Sequence, residues 1–165
     1  TRLRAGFWMQ FGERIACAGP ADLRDSVYYL LYKAGNECGY HTGFGIITSP
    51  EWDAIVAPTL DGSPEEVLHA AFAVLAGFGW AKAEIVELDP GEKMVIRAYD
   101  YYESDFVHYG KSDGLLAPML CGISSAFMDL AYGAVYPAGE GTFTCQQVKG
   151  IERGDDYGEF VVTKA

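Results

Sequence analysis

The sequence predicts an α+β fold in which helices pack on an antiparallel sheet and enclose an apolar pocket. Two observations lead to this prediction. Segments with helical and strand-like patterns follow one another as helix, hairpin, helix and hairpin, an order typical of α+β proteins. The chain has 165 residues, half of them hydrophobic, which is enough to bury a core of its own. We therefore expect residues 1–165 to form one domain.

The first and last helices are indicated by apolar residues that recur every three or four positions. In residues 22–34 these residues share one face, and Asp22 is the candidate N-cap. Residues 113–133 repeat the pattern as far as a closing glycine. Pro118 must lie in the first turn of this helix or kink it, because proline has no N–H to donate.

The segment 63–79 has the clearest helix boundaries in the chain. Ser63 is an N-cap, Pro64 occupies the first turn, and Glu66 completes the pattern of a capping box. Gly77 is the expected stop signal. These signals predict a helix that begins after Ser63 and ends near Gly77.

Strands are predicted after this helix and near the end of the chain. Residues 82–102 form a hairpin pattern around the turn Asp89–Gly91, which contains Pro-Gly. A second strand pair is expected at residues 142–148 and 159–163. A short additional strand is a further possibility at residues 14–17.

Three glycines follow the first helix at a spacing of four residues. Gly35, Gly39 and Gly43 would lie on one face of a helix. Glycine costs roughly 1 kcal/mol relative to alanine in a helix, so close approach of another backbone or of a flat ligand would have to offset that cost. The alternative is a loop that follows a helix ending at Ala34.

Charge and cysteine content restrict the class of protein. The chain has 12 basic and 23 acidic residues, a net charge of −11, and no basic stripe that would bind nucleic acid. No apolar run approaches the roughly 18 residues of a membrane-spanning helix. Four cysteines without a C-x-x-C pair are typical of reduced thiols in the cytoplasm.

Three stretches, taken in order, resemble the 4-vinyl reductase domain family, also described as predicted hydrocarbon-binding proteins. The first resembles the family's Gly-Trp-Gly segment, hairpin and Asn-Ser-x-Glu-like end, here Asp100–Glu103. The second resembles a helix of small residues, and the third a closing hairpin with cysteines. The match runs from about Arg14 to the end of the chain. The stretches are "AGFGWAKAEIVELDPGEKMVIRAYDYYES", "MLCGISSAFMDLAYG" and "TFTCQQVKGIERGDDYGEFVV".

This resemblance implies a fold shared with ligand-binding domains of nitric-oxide signalling and Golgi-transport proteins, with an apolar pocket between helices and sheet. It also favours a long helix through the three glycines. In zinc-binding relatives, a glutamate and cysteines hold the metal. Here Thr142 and Gly158 stand at two of those positions, Cys145 alone matches, and Cys121 lies near the last. A closed zinc site takes about four ligands, so we expect no metal, no cofactor and a Cys145 that packs as a small hydrophobe.

The pocket is expected between the hairpin 82–102, the glycine segment 35–47 and the helix around 115–130. Small residues such as Gly122 and Ser125 would leave the room for a ligand. One histidine would orient it through a hydrogen bond, although a structural role is the alternative for each residue. The predicted ligand-binding residues are His41, Trp80, Tyr99, Tyr101, Phe106, His108, Cys121 and Phe127.

Tyr99 and Tyr101 are expected on one face of the hairpin strand, together with Arg97, if the strand stays regular. No nucleophile motif, metalloprotease motif or phosphate-binding loop occurs, so no catalytic residue is assigned.

The leading functional hypothesis is non-catalytic binding of an apolar or aromatic small molecule by a sensor or carrier. It draws on the family resemblance, on 11 tyrosines, 9 phenylalanines and 3 tryptophans, and on the missing catalytic set. Two alternatives stay open. One is an enzyme, or its accessory subunit, acting on a tetrapyrrole or similar apolar substrate, and the other is an interaction module like the Golgi-tethering relatives.

The N-terminal segment predicts a homodimer. Residues 3–11 place Phe7, Trp8 and other apolar side chains outside the clear family similarity. Exposed apolar clusters usually mark protein contacts, and two-fold dimers are the commonest closed assembly. The alternative is that this N-terminal segment packs on its own domain. Light scattering should show a dimer that the double substitution Phe7→Asp and Trp8→Asp weakens. A monomer at micromolar concentration, unchanged by the substitutions, would contradict this prediction.

Overall fold

The computed structural model describes residues 21–104 and 117–165. Within them, the elements are α1 (Ala21–Ile47), α2 (Pro50–Ile55), α3 (Pro64–Gly77), β1 (Ala81–Asp89), β2 (Lys93–Tyr101), α4 (Pro118–Tyr132), β3 (Phe143–Lys149) and β4 (Gly158–Lys164). These four α-helices pack on a four-stranded antiparallel sheet of order β1-β2-β4-β3, which confirms the predicted fold class.

The two predicted hairpin pairs are confirmed. β1 and β2 pair through the turn at Asp89–Gly91, where Gly91 has φ +76° and the Glu92 N–H donates to the Asp89 carbonyl over 3.0 Å. β3 and β4 pair from Phe143 to Lys149. The predicted strand at 14–17 lies outside the described residues.

The core lies between the sheet and its helices. α4 packs against β3 and β4, α3 packs against β1, and α1 lies along α4. Met94, Ile96 and Phe160 of the sheet and Leu120 and Met128 of α4 are among its buried side chains. No helix in the described ranges has the length and apolar character needed to cross a membrane.

Helix starts and stops follow the local sequence signals with two corrections. α3 begins at Pro64, with the Ser63 hydroxyl accepting from the Glu66 N–H over 3.2 Å, and ends at Gly77. The capping box is incomplete, because Asp61 rather than Glu66 accepts from the Ser63 N–H. The Asp22 cap is wrong, since the helix already includes Ala21.

Two further helix boundaries bear on the sequence signals. α4 starts at Pro118, so this proline lies in the first turn and causes no kink. The short helix α2 was not predicted, although Ser49-Pro50-Glu51 repeats the signal that opens α3. The Ser49 hydroxyl accepts from the Trp52 N–H over 3.1 Å, as an N-cap should.

The glycine segment is helical. α1 runs without a break through Gly35, Gly39 and Gly43, which confirms the helix and excludes the loop after Ala34. A Cβ added to Gly35 would lie 2.4 Å from the Met119 carbonyl oxygen of α4. The backbones of α1 and α4 therefore approach more closely than any side chain would permit.

The approach is reciprocal. A Cβ on Gly122 of α4 would lie 2.1 Å from the Tyr32 carbonyl oxygen and 2.5 Å from the Asn36 nitrogen of α1. A Cβ on Gly39 would lie 3.0 Å from the Cα of Ile123. The expectation that Gly35 and Gly122 leave room for a ligand is wrong, because the backbone of the facing helix takes up that room.

Alanine substitutions should separate the two classes of glycine in α1. Gly35→Ala should lower the free energy of unfolding by about 1–3 kcal/mol, because its methyl group meets the fixed backbone at Met119. Gly45→Ala should raise it by about 0.5–1 kcal/mol, because nothing lies within 4 Å and alanine is the better helix former. Urea denaturation measures both, and equal effects of the two substitutions would contradict the close approach.

Candidate functional site

An apolar cavity of about 150 Å³ lies between α1, α3 and α4. Two of the expected walls, the glycine segment 35–47 and α4, line the cavity, whereas α3 takes the place expected for the hairpin; Trp52 of α2 and Trp80 also belong to the lining. Its lining residues are Cys38, Gly39, Thr42, Gly43, Ile46, Ile47, Trp52, Val67, Leu68, Ala71, Val74, Leu75, Phe78, Trp80, Ile123, Phe127, Leu130 and Ala131.

α3 forms the wall that sequence reasoning missed. Leu68, Phe72 and Leu75 of this helix are buried in the core. Val67 and Val74 lie on an adjacent stripe and line the cavity together with Ala71 and Phe78. The sequence did carry a signal for this wall. A helix that packs on one core usually has one apolar stripe of about 100°, and the apolar face of α3 is wider than that.

The cavity is apolar at depth and polar at one edge. Trp52, Leu68 and Phe127 are among its buried lining residues, whereas Cys38 and Thr42 are exposed. Among the described lining residues, these two supply the only thiol and the only hydroxyl, and no lining residue is a histidine or carries a charge. The described lining residues can therefore exclude water from an apolar molecule but supply no general acid–base pair.

Two of the predicted ligand-binding residues, Trp80 and Phe127, line this cavity. Phe127 packs edge-on against Phe72, with ring centroids 5.2 Å apart. Trp80 packs against Tyr102 at 5.1 Å, and its carbonyl accepts from the Tyr102 N–H over 2.9 Å. Contact with a ligand stays a prediction for both. Phe106 and His108 lie outside the described residues.

Tyr99 and Tyr101 do not share a face. Ala98 pairs with Ala83 and Asp100 with Lys82, so Tyr99 is an extra residue and forms a β-bulge. The bulge shifts the alternation of β2. Tyr99 is 45% exposed, whereas Tyr101 is 1% exposed.

Neither tyrosine is among the residues that line the cavity. Tyr99 donates to Glu84 across the hairpin. The Tyr101 hydroxyl donates to Glu152 and accepts from the Ile151 N–H over 3.1 Å. Burial and the neighbouring Glu152 carboxylate raise the pKa of Tyr101 far above its usual value. These contacts give Tyr101 a structural role in the core.

His41 lies on an exposed part of α1 and is not among the cavity-lining residues. Its Nδ1 is 2.8 Å from the Tyr136 hydroxyl. Its Nε2 is 3.5 Å from Glu37 and 3.9 Å from Glu140. Within the described ranges, Glu37, His41 and Glu140 form the one group with ligand atoms close enough for a metal ion. Exposed acidic groups of this kind are common without an ion, and we assign none.

Cys121 and Cys145 meet between α4 and β3. Cys121 is buried in the core, and the Cys145 thiol is hydrogen-bonded to it. Burial and this contact raise the pKa of Cys145 well above its usual value, which disfavours the thiolate that zinc requires. No third candidate ligand joins the pair in the described part of the chain.

A buried polar network fixes α1 against α4. The Asn36 amide donates to the Ser125 hydroxyl over 3.1 Å and to the Asp129 carboxylate over 3.4 Å. The Tyr32 hydroxyl donates to Ser125 over 3.0 Å. Since Asn36, Ser125 and Asp129 are at most 2% exposed, loss of one partner would leave buried polar groups unpaired. The network thus holds two walls of the cavity.

Glu103 anchors the first turn of α4. Its carboxylate accepts from the Met119 N–H over 3.1 Å and from the Leu120 N–H over 2.9 Å, where the helix dipole favours negative charge. Burial nevertheless raises the pKa of Glu103 to about 8, and repulsion from Glu152 adds to the shift. The two backbone hydrogen bonds and one from Tyr102 oppose it.

Solved structures with a similar fold include two ligand-bound proteins. One is the phenol-responsive sensory domain of the transcription activator PoxR, with phenol, at a TM-score of 0.72 and 12% identity over 98% of this chain and 75% of that chain. The other is trafficking protein particle complex subunit 3 from Naegleria fowleri, covalently bound to palmitic acid, at 0.63 and 13% over 98% and 95%. No family model and no curated protein matches the sequence.

Glu103 should make stability depend on pH. Its pKa is 4.5 in a model compound and about 8 in the fold, so above pH 4.5 the folded state binds more protons than the unfolded state. Its contribution is therefore fully present below pH 4.5 and is lost as the pH rises to about 8. We expect urea denaturation of Glu103→Gln to show a smaller fall in stability between pH 5 and pH 8 than the unsubstituted protein.

The exposed Glu51 of α2 provides the control. Glu51→Gln should keep the pH dependence of the unsubstituted chain. If Glu103→Gln loses stability with pH as steeply as the control, the buried carboxyl does not titrate as described.

Proposed function

We propose that this chain is a non-catalytic domain that binds an apolar or aromatic small molecule in the cavity between α1, α3 and α4. The observation that carries the proposal is the cavity itself, with apolar walls and buried Trp52, Leu68 and Phe127 at depth. Apolar pockets gain affinity from the area removed from water, at about 25 cal/mol per Å². They need only a few polar groups for orientation.

Cavity size sets the scale of the ligand. A volume of about 150 Å³ matches that of engineered apolar cavities, also about 150 Å³, which stay dry and bind benzene. A single aromatic ring or a short hydrocarbon fits that scale. A tetrapyrrole, the substrate of the enzymatic alternative, is several times larger.

The comparisons and the sequence support the same class of function. One structural neighbour is a sensory domain that responds to phenol, and the sequence resembles the predicted hydrocarbon-binding family. In this proposal residues 1–165 form one domain, act in the cytoplasm with reduced thiols, and work as a homodimer. The domain then serves as a sensor that reports to a partner or as a carrier.

An interaction module is the second candidate. The observation that favours it is the exposure of Leu23, Tyr29 and Leu30 on α1, at 49%, 60% and 65%. The trafficking-complex subunit, which this chain matches over 95% of that subunit's length, is a component of a larger assembly. Such a function predicts a partner chain that covers α1, independent of any small molecule.

A thermal-shift screen tests the leading proposal. Because a ligand that binds only the native state stabilises it by RT ln(1 + [L]/Kd), benzene, toluene or ethylbenzene at a hundredfold excess over Kd should add about 2.7 kcal/mol. Ala71→Phe should abolish the shift, because the added ring fills the cavity that Ala71 lines. The screen compares melting temperatures with and without each compound.

Ala73 supplies the matched control on the same helix. It is exposed and is not among the cavity-lining residues, so Ala73→Phe should retain the shift. Circular dichroism checks that both variants fold. If no apolar compound stabilises the unsubstituted chain, the binding proposal fails and the interaction module takes its place.

A further inference from the structure

The polar edge of the cavity is built by one helix. Cys38 and Thr42 are one turn apart on α1, both exposed, with 3.9 Å between Sγ and Oγ1. Gly39 and Gly43 are their chain neighbours and also line the cavity. Glycine has no side chain, so this part of the wall is main chain interrupted by one thiol and one hydroxyl.

The Thr42 hydroxyl has hydrogen-bonding capacity to spare. It can donate once and accept twice. Its contact with the Cys38 sulfur at 3.9 Å is long, and sulfur is a weak partner. A ligand hydroxyl or carbonyl that reaches this edge can therefore pair with Thr42, without displacing a strong protein contact among the described residues.

The deep end offers a ligand much less. Leu68 and Phe127 have no polar side-chain atoms, and the Trp52 indole, also buried, can only donate. A second hydroxyl carried to that end would lose its water, and its own O–H would find no acceptor among these side chains. Unpaired burial of a hydroxyl is costly.

We propose that Thr42 determines specificity by pairing with one polar group at one end of the ligand. The ligand class is then a one-ended molecule: a single ring or short chain, a terminal hydroxyl or carbonyl at the Thr42 edge, and an apolar remainder. This inference rests on the proposed function, since it names the chemistry of the molecule that occupies the same cavity.

Three probes of similar size test it: ethylbenzene, 2-phenylethanol, and 4-(2-hydroxyethyl)phenol, which has a hydroxyl at each end. Binding is followed by the fluorescence of Trp52 and Trp80, which line the cavity. Thr42→Val keeps the shape of the side chain and removes the hydroxyl. This substitution should weaken the binding of 2-phenylethanol, relative to that of ethylbenzene, by about threefold to tenfold, which corresponds to the loss of one hydrogen bond.

The control is Thr144→Val, at an exposed position of β3 that is not among the cavity-lining residues. It should leave the ratio of the two dissociation constants unchanged. In the unsubstituted chain, the two-ended probe should bind at least about tenfold more weakly than 2-phenylethanol, since it buries an O–H that finds no acceptor among the side chains of Trp52, Leu68 and Phe127.

The outcomes separate the two proposals. If none of the three probes binds the unsubstituted chain, the proposed function fails, and the role of Thr42 fails with it. If ethylbenzene and 2-phenylethanol bind and Thr42→Val leaves their ratio unchanged, the binding function stands and the role of Thr42 is overturned. Equal affinity for the one-ended and two-ended probes overturns the ligand class.

Discussion

The close approach of α1 and α4 is the constraint on which the rest of the molecule depends. A methyl group at Gly35 or Gly122 would fall within 2.4 Å of a carbonyl oxygen of the opposite helix. Three glycines weaken an isolated helix, so α1 gains its stability from α4 and not from its own sequence. With α1 at this distance, α4 is covered on the side that faces away from the sheet, and ten consecutive residues of it, 120–129, are buried.

A polar network then fixes the position of the two helices. Glycine faces slide easily, because they lack interlocking side chains, whereas hydrogen bonds need particular partners. Asp129 joins three elements at once, since it also accepts from the Gly141 N–H over 2.9 Å and from the Phe143 N–H over 2.8 Å. Through this carboxylate the start of β3, the end of α4 and, through Asn36, the middle of α1 are held in one arrangement. The same contacts therefore fix the α1 and α4 walls of the cavity between α1, α3 and α4.

The sequence was informative where a local signal has a single structural meaning. The Ser63-Pro64 start, the Asp89–Gly91 turn and the glycine spacing each depend on backbone chemistry, so they predicted a helix boundary, a hairpin and a close contact. A glycine, however, does not reveal whether protein or ligand fills the space beside it. At Gly35 that space is filled by α4 and not by a ligand. Tyr101 was placed with Tyr99 because a one-residue bulge leaves no clear mark in the sequence.

The cavity was harder to predict than the fold for a related reason. Trp80 and Phe127 were named as wall residues, but the wall from α3 was not, because apolar residues that face a core and those that face a void follow the same periodicity. Cys38 and Thr42 gave no signal at all as single polar residues in a helix. Only the packing distance between helices decides whether a stripe of apolar side chains meets another stripe or an empty space.

The glycine face of α1 contacts both α4 and the cavity, and this limits which substitutions can alter the shape of the cavity. Gly39 belongs both to the helix crossing and to the cavity wall, so this part of the α1 wall cannot acquire a larger side chain without moving α4. The opposite wall has no such restriction, because Val67, Ala71 and Val74 are only half-buried. Changes of ligand preference, by evolution or by directed mutagenesis, are therefore expected at α3 rather than at Gly39 of α1.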